Sequence, residues 1–276
     1  MVFYISNLDI MRVTIFNDKQ NFDGSLNLLN NYFKKGEKRF WNYEKYIPFL
    51  IDKLKSFDKL DKTDLQLTKT FFYSGKYSSK LINSFRWSCN QKIKELNLLI
   101  KKENDILNYI SQQDIPHEVK NRTRRHVEDI IKKIQENRSN YLHAIEKQKR
   151  NYLGQKELFE EIKKNPFIEM RTTPLKQSGG QIYQKGVDVM IAADLINLAH
   201  TNSYDVALIL GGDTDLIECV KLIKSLGKIV IISAFHIPGK PLLSTISDLI
   251  GAADYFLNLN NFSEKELIAM SDPLSK

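Results

Sequence analysis

The pattern of apolar and polar positions switches repeatedly between two periods. Residues 11–17 (Met-Arg-Val-Thr-Ile-Phe-Asn) form a short apolar run that ends at Asp18 and predict a buried strand. Similar runs predict strands over 67–73, 167–171, 205–210, 228–233 and 255–259, most of them bounded by Gly, Asp or Ser. Between them, helical spacing predicts helices over 24–33, 43–57, 189–200, 215–226 and 242–252. Strands that alternate with helices predict an α/β fold: a parallel sheet flanked by helices, with strands buried on both faces.

Residues 84–165 depart from this alternation. They are helical throughout, with Gly154 the only glycine. A heptad frame starting at Cys89 runs through Ile93, Leu96, Ile100, Glu103, Leu107 and Ile110. Gln113-Asp114-Ile115-Pro116 then breaks the helix, because proline disfavours helical backbone in the residue before it. A second stripe follows at Val127, Ile130, Ile131, Ile134, Tyr141, Leu142 and Ile145. Two stripes joined by a short proline loop predict an antiparallel helical hairpin. About 28 residues of helix would span ~42 Å. The expected organisation is one α/β domain made of residues 1–83 and 151–276, interrupted by a hairpin over 84–150. Stripes at this spacing are packing seams first. They are also where a second copy or a protein partner would pair.

Charge adds an asymmetry. The chain has 276 residues and a net charge of +8, with 42% hydrophobic and 27% charged residues. These values exclude a disordered chain, a collagen-like repeat and a disulfide scaffold. Residues 1–80 carry +5, residues 81–150 carry +6, and residues 166–276 carry −3. The hairpin's outward positions include Arg122, Arg124 and Arg125. Such an excess suits either a plain lysine-rich surface or a polyanion-binding surface beside an acidic site. No apolar run is long enough to span a bilayer, so no membrane association is expected. The first residues lack a signal-peptide pattern. Cys89 and Cys219 form no motif, so a reducing, cytoplasmic setting is expected. The five histidines have no metal-binding spacing. Tyr183, Phe235 and His236 are candidates for stacking on bases.

The acidic candidates are Asp18 after the first strand, Asp188 at a helix start, and Asp213 and Asp215 in Gly211-Gly212-Asp213-Thr214-Asp215 after the fourth strand. In an open parallel sheet, strand ends and helix starts meet at one edge, where ligands bind. Four carboxylates converging there repel one another without a cation, and Mg²⁺ or Mn²⁺ takes such oxygen ligands. Taken singly, each Asp equally suits helix capping or the helix dipole.

These residues also carry a resemblance. Val13-Thr-Ile-Phe-Asn-Asp18-Lys-Gln-Asn21, Lys185-Gly-Val-Asp188 with Asp194 beyond it, and Tyr204–Leu216 with its Gly-Asp-Thr-Asp turn resemble three motifs of NYN-domain ribonucleases. The likeness is to the LabA-like branch of the PIN-like nuclease superfamily and covers roughly 11–74 and 155–262. It implies a PIN-like Rossmannoid fold and metal-dependent cleavage of RNA. It places Asp18, Asp188, Asp213 and Asp215 as catalytic metal ligands, with Asn21, Asp194 and Thr214 as supports. Lys19 and Lys185 are expected to meet phosphate, and Arg122, Arg124 and Arg125 to grip the RNA backbone. Three positions depart from the family pattern: Lys19 replaces a Gly, Gly211 a Ser, and Leu216 a Phe. The expected function is a Mg²⁺- or Mn²⁺-dependent endoribonuclease. The alternative is an inactive NYN-like module that binds RNA or protein, or assembles through the hairpin.

Overall fold

The computed structural model describes residues 10–29, 39–211, 213–235 and 247–273. The expected helical residues 30–33 and 242–246, together with Gly212 and His236, lie outside the described residues. The chain divides into two compact units. One comprises Met1–Gly75, Glu160–Thr173 and Lys185–Lys276; the other comprises Lys76–Phe159 and Pro174–Gln184.

The first unit is built on strands β1 (Ile10–Asp18), β3 (Asp64–Lys76), β4 (Ile168–Pro174), β7 (Val206–Leu210), β8 (Ile229–Ala234) and β9 (Tyr255–Asn258). They form one sheet in the order β4-β3-β1-β7-β8-β9. β1 pairs in parallel with both β3 and β7, and the β7–β8 and β8–β9 pairs are also parallel. The sequence dictates the central position of β7. All five of its residues are apolar and fully buried, as a strand covered on both faces requires. Each such side chain contributes roughly 1.5–3 kcal/mol when buried.

Helices α5 (Val187–His200), α6 (Ile217–Ser225) and α7 (Ser247–Ala252) supply apolar side chains to a core that includes Phe16, Ile191, Leu195, Ala207, Ile209, Val220, Ile232 and Leu249. Tyr204 lies edge-on to Phe16, with ring centroids 5.6 Å apart, and its hydroxyl donates to the Leu195 carbonyl at 2.8 Å. At the start of the β1–β7 pair, Arg12 Nε and Nη2 donate to the two oxygens of Asp205 at 3.0 and 2.8 Å. This pairing holds the Asp205 carboxyl below its usual range. α1 (Lys19–Leu29) follows β1 directly. α2 (Tyr43–Leu54) begins where the Asn42 side chain accepts from the Glu44 N–H at 2.9 Å.

Three elements of this unit have no counterpart in the sequence pattern. Strands β2 (Arg39–Trp41) and β10 (Ser271–Pro273) pair antiparallel, and α8 (Glu264–Ala269) precedes β10. α8 carries a reciprocal capping box between Ser263 and Glu266. Arg39 is buried and donates from Nε to Ser271 Oγ at 2.8 Å. A three-residue strand has too little periodicity to be seen in sequence.

The second unit contains α3 (Ser79–Gln112) and most of α4 (His117–Ile162), joined through the expected proline loop. The seam of α3 follows the expected heptad: Cys89 is buried, and Ile93, Leu96, Ile100, Glu103, Leu107 and Ile110 are half-buried. On α4, Val127 and Ile131 are buried, and Ile130, Ile134, Tyr141 and Ile145 are half-buried. Leu142 was expected in the same seam but is 47% exposed. Its neighbour Tyr141 takes the inward position. Arg138 Nη1 donates to Asn97 Oδ1 at 3.1 Å and ties the two helices. α3 starts five residues before the expected 84, because Ser78 caps it by accepting from the Leu81 N–H at 3.1 Å. The expected loop through Gly180 contains a hairpin, β5 (Lys176–Ser178) and β6 (Gln181–Tyr183). Gly179 and Gly180 form its two-residue turn with φ of 56° and 76°. Both angles positive is the mirror-image turn that glycine favours.

Candidate functional site

The parallel order β1-β7-β8 brings the carboxyl ends of the strands to one edge. Asp18 is the last residue of β1 and is only 2% exposed. Its carboxylate accepts from the Asn21 N–H at 3.2 Å and from Asn21 Nδ2 at 2.7 Å. The short span from Asp18 to Asn21 lets one carboxylate close the first turn of α1. Burial pushes the Asp18 carboxyl up to about 6; the charge of Asp188 adds to the rise, and donors from Asn21 and Gln20 oppose it.

Asp188 lies in the first turn of α5, which packs on β1. The N-cap of α5 is Gly186, and it makes no side-chain cap bond. Asp188 is therefore not used as the cap. Burial raises its carboxyl, its own backbone N–H opposes the rise, and the charges of Asp213 and Asp215 add to it. Asp213 precedes a 3₁₀ turn at Thr214–Leu216 that leads into α6, and it too makes no side-chain cap bond. The Thr214 hydroxyl donates to Asp213 Oδ1 at 3.1 Å. Asp213 and Asp215 are exposed. So Asp18 does close a turn, while the capping role that equally suited Asp188 and Asp213 is not taken up. Asp188 feels charge from Asp213 and Asp215, and Asp18 feels Asp188.

A hard divalent cation fits this donor set in kind: oxygen ligands, all acidic, with two carboxyls raised by burial and by neighbouring carboxylates. Two buried polar atoms at the same edge, Asn17 Oδ1 and Ser233 Oγ, have no hydrogen-bond partner among the described residues. Among the described residues, however, no three Asp, Glu, His or Cys side chains already cluster closely enough to hold a metal ion.

The supporting residues have definite partners. Asp194 lies further along α5, where it accepts from the Tyr73 hydroxyl at 2.9 Å and faces Arg171 Nε at 3.3 Å. It thereby anchors β3 and β4 to α5. Lys19 pairs with Asp23 one turn along α1. Lys185 is exposed just before Gly186. Arg122, Arg124 and Arg125 are exposed on α4 in the second unit, and Arg124 Nε donates to Glu128 at 2.8 Å. Phe235 is not a base-stacking surface: it is 3% exposed and stacked toward Trp41 with centroids 6.2 Å apart. Its apolar ring is worth more in the core than at a wet edge.

The sequence pattern did not single out the role of Gly211. It sits at φ 77°, and a Cβ there would stand 3.1 Å from Asn21 Cβ and 3.3 Å from the Phe22 nitrogen. A side chain there would be strained by the backbone and would press on the first turn of α1. Tyr73 and Arg171 were also missed, since a residue that holds a carboxylate from two strands away leaves no local signal. A separate groove of about 660 Å³, lined by residues such as Tyr43, Ile47, Leu67 and Phe167, contains none of the four acids.

Comparison with known proteins decides the family, for the NYN domain matches residues 104–260. The chain belongs to the NYN domain family. The match takes in α4 and every acid of the site except Asp18, which lies before its first residue. A solved structure of a protein of unknown function from Vibrio parahaemolyticus RIMD 2210633 is similar over 91% of this chain and 94% of that chain, at 14% identity and a TM-score of 0.41. No curated protein matches the sequence. Membership places this NYN protein in a nuclease-like superfamily. No helix among the described residues is long and apolar enough to cross a membrane.

Proposed function

We propose that this NYN protein is a metal-dependent endoribonuclease that hydrolyses RNA phosphodiester bonds. The observation that carries the reading is the electrostatic coupling of Asp188 to Asp18, Asp213 and Asp215 at the carboxyl edge of the sheet, with Asp213 making no side-chain cap bond. Mg²⁺ or Mn²⁺ would be held by Asp18, Asp188, Asp213 and Asp215. When bound, such an ion polarises a phosphoryl oxygen and makes water more acidic.

The chain's own residues set the conditions for this. Asn21 orients the buried Asp18 carboxylate and favours its charged form. Thr214 holds one oxygen of Asp213. Asp194 positions the strand ends through Tyr73 and Arg171 and is a positioning residue rather than a ligand. Lys185 would meet a phosphate oxygen, and Arg122, Arg124 and Arg125 would supply backbone grip that weakens with salt. The test is cleavage of end-labelled RNA with Mn²⁺, with and without EDTA. Cleavage that EDTA abolishes and Asp213→Asn reduces at least a hundredfold is expected. Full cleavage by Asp213→Asn sinks the mechanism.

A second reading is a module that holds RNA or protein without cutting it. The observation in its favour is that no ready metal cluster exists among the described residues. Metal-independent RNA binding with no turnover would establish it. Exposed Leu98, Leu99, Ile106 and Tyr109 on α3 are the surface through which a second copy or a protein partner would pair. Light scattering before and after Leu98→Lys with Ile106→Lys tests that pairing, which predicts a loss of mass.

A further inference from the structure

We propose that a cavity in the second unit, between the first turns of α3 and the β5–β6 turn, takes a backbone phosphate of single-stranded RNA, with a neighbouring base on Trp87. The proposal rests on RNA being the ligand, as above, but not on cleavage.

The cavity has a volume of about 520 Å³ and is lined by Lys80, Ser84, Ser88, Gln177, Ser178 and the Gly179–Gly180 turn, among others. It contains one cation and no acid. Lys80, Ser84 and Ser88 recur at four-residue spacing and so share one helix face. Among the described residues, Lys80 has no ion pair, and the Ser84 and Ser88 hydroxyls have no hydrogen-bond partner. Two other hydroxyls of the hairpin are satisfied within their own helix: Ser111 donates to the Asn108 carbonyl and Thr123 to the Val119 carbonyl. Free hydroxyls and an unpaired ammonium around an open cavity are the donors a phosphate oxygen accepts from. The Gly-Gly turn adds no side chain, and a Cβ at either position would meet nothing within 4 Å. The mouth therefore stays open to a chain-like ligand.

Charge and an aromatic side chain select nucleic acid. Residues 76–94 contain Lys76, Lys80, Arg86, Lys92 and Lys94 and no acid; residues 174–184 contain Lys176 and no acid. Only Lys92 of these has an acidic partner among the described residues, Glu95 at 2.9 Å. Trp87 is 66% exposed. It lies seven residues beyond Lys80, which returns it to nearly the same helix face. A large indole in water next to a lysine-and-serine cavity is the pairing of backbone cation and stacking platform that single-stranded nucleic acid binds.

The test uses the full chain in EDTA, where no metal-dependent cleavage interferes. Anisotropy of a fluorescein-labelled 12-nucleotide oligouridylate gives affinity, and tryptophan emission reports stacking. RNA should quench emission, because the chain has only two tryptophans and the other, Trp41, is buried. Lys80→Ala and Trp87→Ala should each weaken binding roughly tenfold. Lys80→Ala should also lower the slope of log affinity against log salt by about 0.7, the value for one phosphate on a single strand. Trp87→Ala should abolish the quench. Lys102→Ala, an exposed lysine elsewhere on α3, is the control for general charge loss. If both variants bind no more weakly than that control, or if the wild type binds no RNA, the proposal is overturned. Binding as expected without cleavage in Mn²⁺ would leave this site standing and remove the nuclease reading.

Discussion

Asn21 donates twice to the carboxylate of Asp18, through its backbone N–H at 3.2 Å and its side-chain amide at 2.7 Å. Both bonds favour the charged form and work against burial, which has pushed this carboxyl up to about 6. Asn21→Ala removes the side-chain donor, so the Asp18 carboxyl rises further. If cleavage needs ionised Asp18, the acidic limb of the pH–rate profile should move to higher pH, by about one unit or less. An unchanged limb would show that Asp18 ionisation does not control the rate.

Stability of the metal-free protein carries the opposite signature from ordinary surface acids. The folded carboxyl of Asp18 holds its proton more tightly than the unfolded one. The native state therefore binds more protons between about pH 4 and pH 6. Stability falls as pH rises through that window and stays lower above it. Asp18→Asn removes the buried charge and should stabilise the protein at pH 7 by on the order of 1–3 kcal/mol. Urea denaturation with chelator at pH 7 and at pH 4 checks this: the gain should shrink at the lower pH.

Gly211 and Gly227 share the same left-handed backbone, with φ of 77° and 78°. They differ in surroundings. A Cβ at Gly211 meets α1 at 3.1 Å, whereas at Gly227 nothing lies within 4 Å. Gly227→Ala should cost about 1 kcal/mol for backbone strain. Gly211→Ala should cost about 1–3 kcal/mol more, because the first turn of α1 must shift. Thermal melts compare the two, and Gly211→Ala should also reduce cleavage, since the displaced turn is the one that carries Asn21.

Asp194 and Asp213 are both acids of the family motif, yet they should respond differently to amidation. Asp194 is held by Tyr73 and Arg171. Asp194→Asn should lower the melting temperature and slow cleavage by less than about tenfold. Asp213 is exposed, and among the described residues its side chain accepts only from Thr214. Asp213→Asn should leave the melt nearly unchanged while abolishing cleavage. Equal kinetic effects of the two changes would overturn the division between positioning and ligand roles.

The three arginines of α4 should not contribute equally. Arg124 already faces Glu128 at 2.8 Å, while Arg122 and Arg125 are exposed without an acidic partner among the described residues. Arg122→Ala or Arg125→Ala should reduce the salt slope of RNA binding by about 0.7 each. Arg124→Ala should reduce it less, because its charge is partly neutralised before RNA arrives. Anisotropy titrations over a range of salt concentrations measure all three.

Much of this was legible in the chain itself. Runs of Val, Ile and Leu such as 206–210 can be satisfied only by burial on both faces, so the parallel sheet was readable from local pattern. The seam of α3 was readable for the same reason, since a heptad admits one inward face. The positions of the candidate acids were readable because Asp falls where strands hand over to helices. Tertiary structure decided what those acids do locally. Sequence spacing left Asp18, Asp188 and Asp213 equally suited to capping; in the fold, Gly186 occupies the cap position of α5, Asp188 accepts only from its own backbone N–H among the described residues, and Asp213 makes no side-chain cap bond. It also decided the close approach of Gly211 to Asn21 and the anchoring of Asp194 by Tyr73, contacts between residues 190 and 121 positions apart. Hydrophobic periodicity is a property of neighbours along the chain. Distance, burial and the pKa shifts they cause depend on which strands lie side by side, and only the folded sheet specifies that.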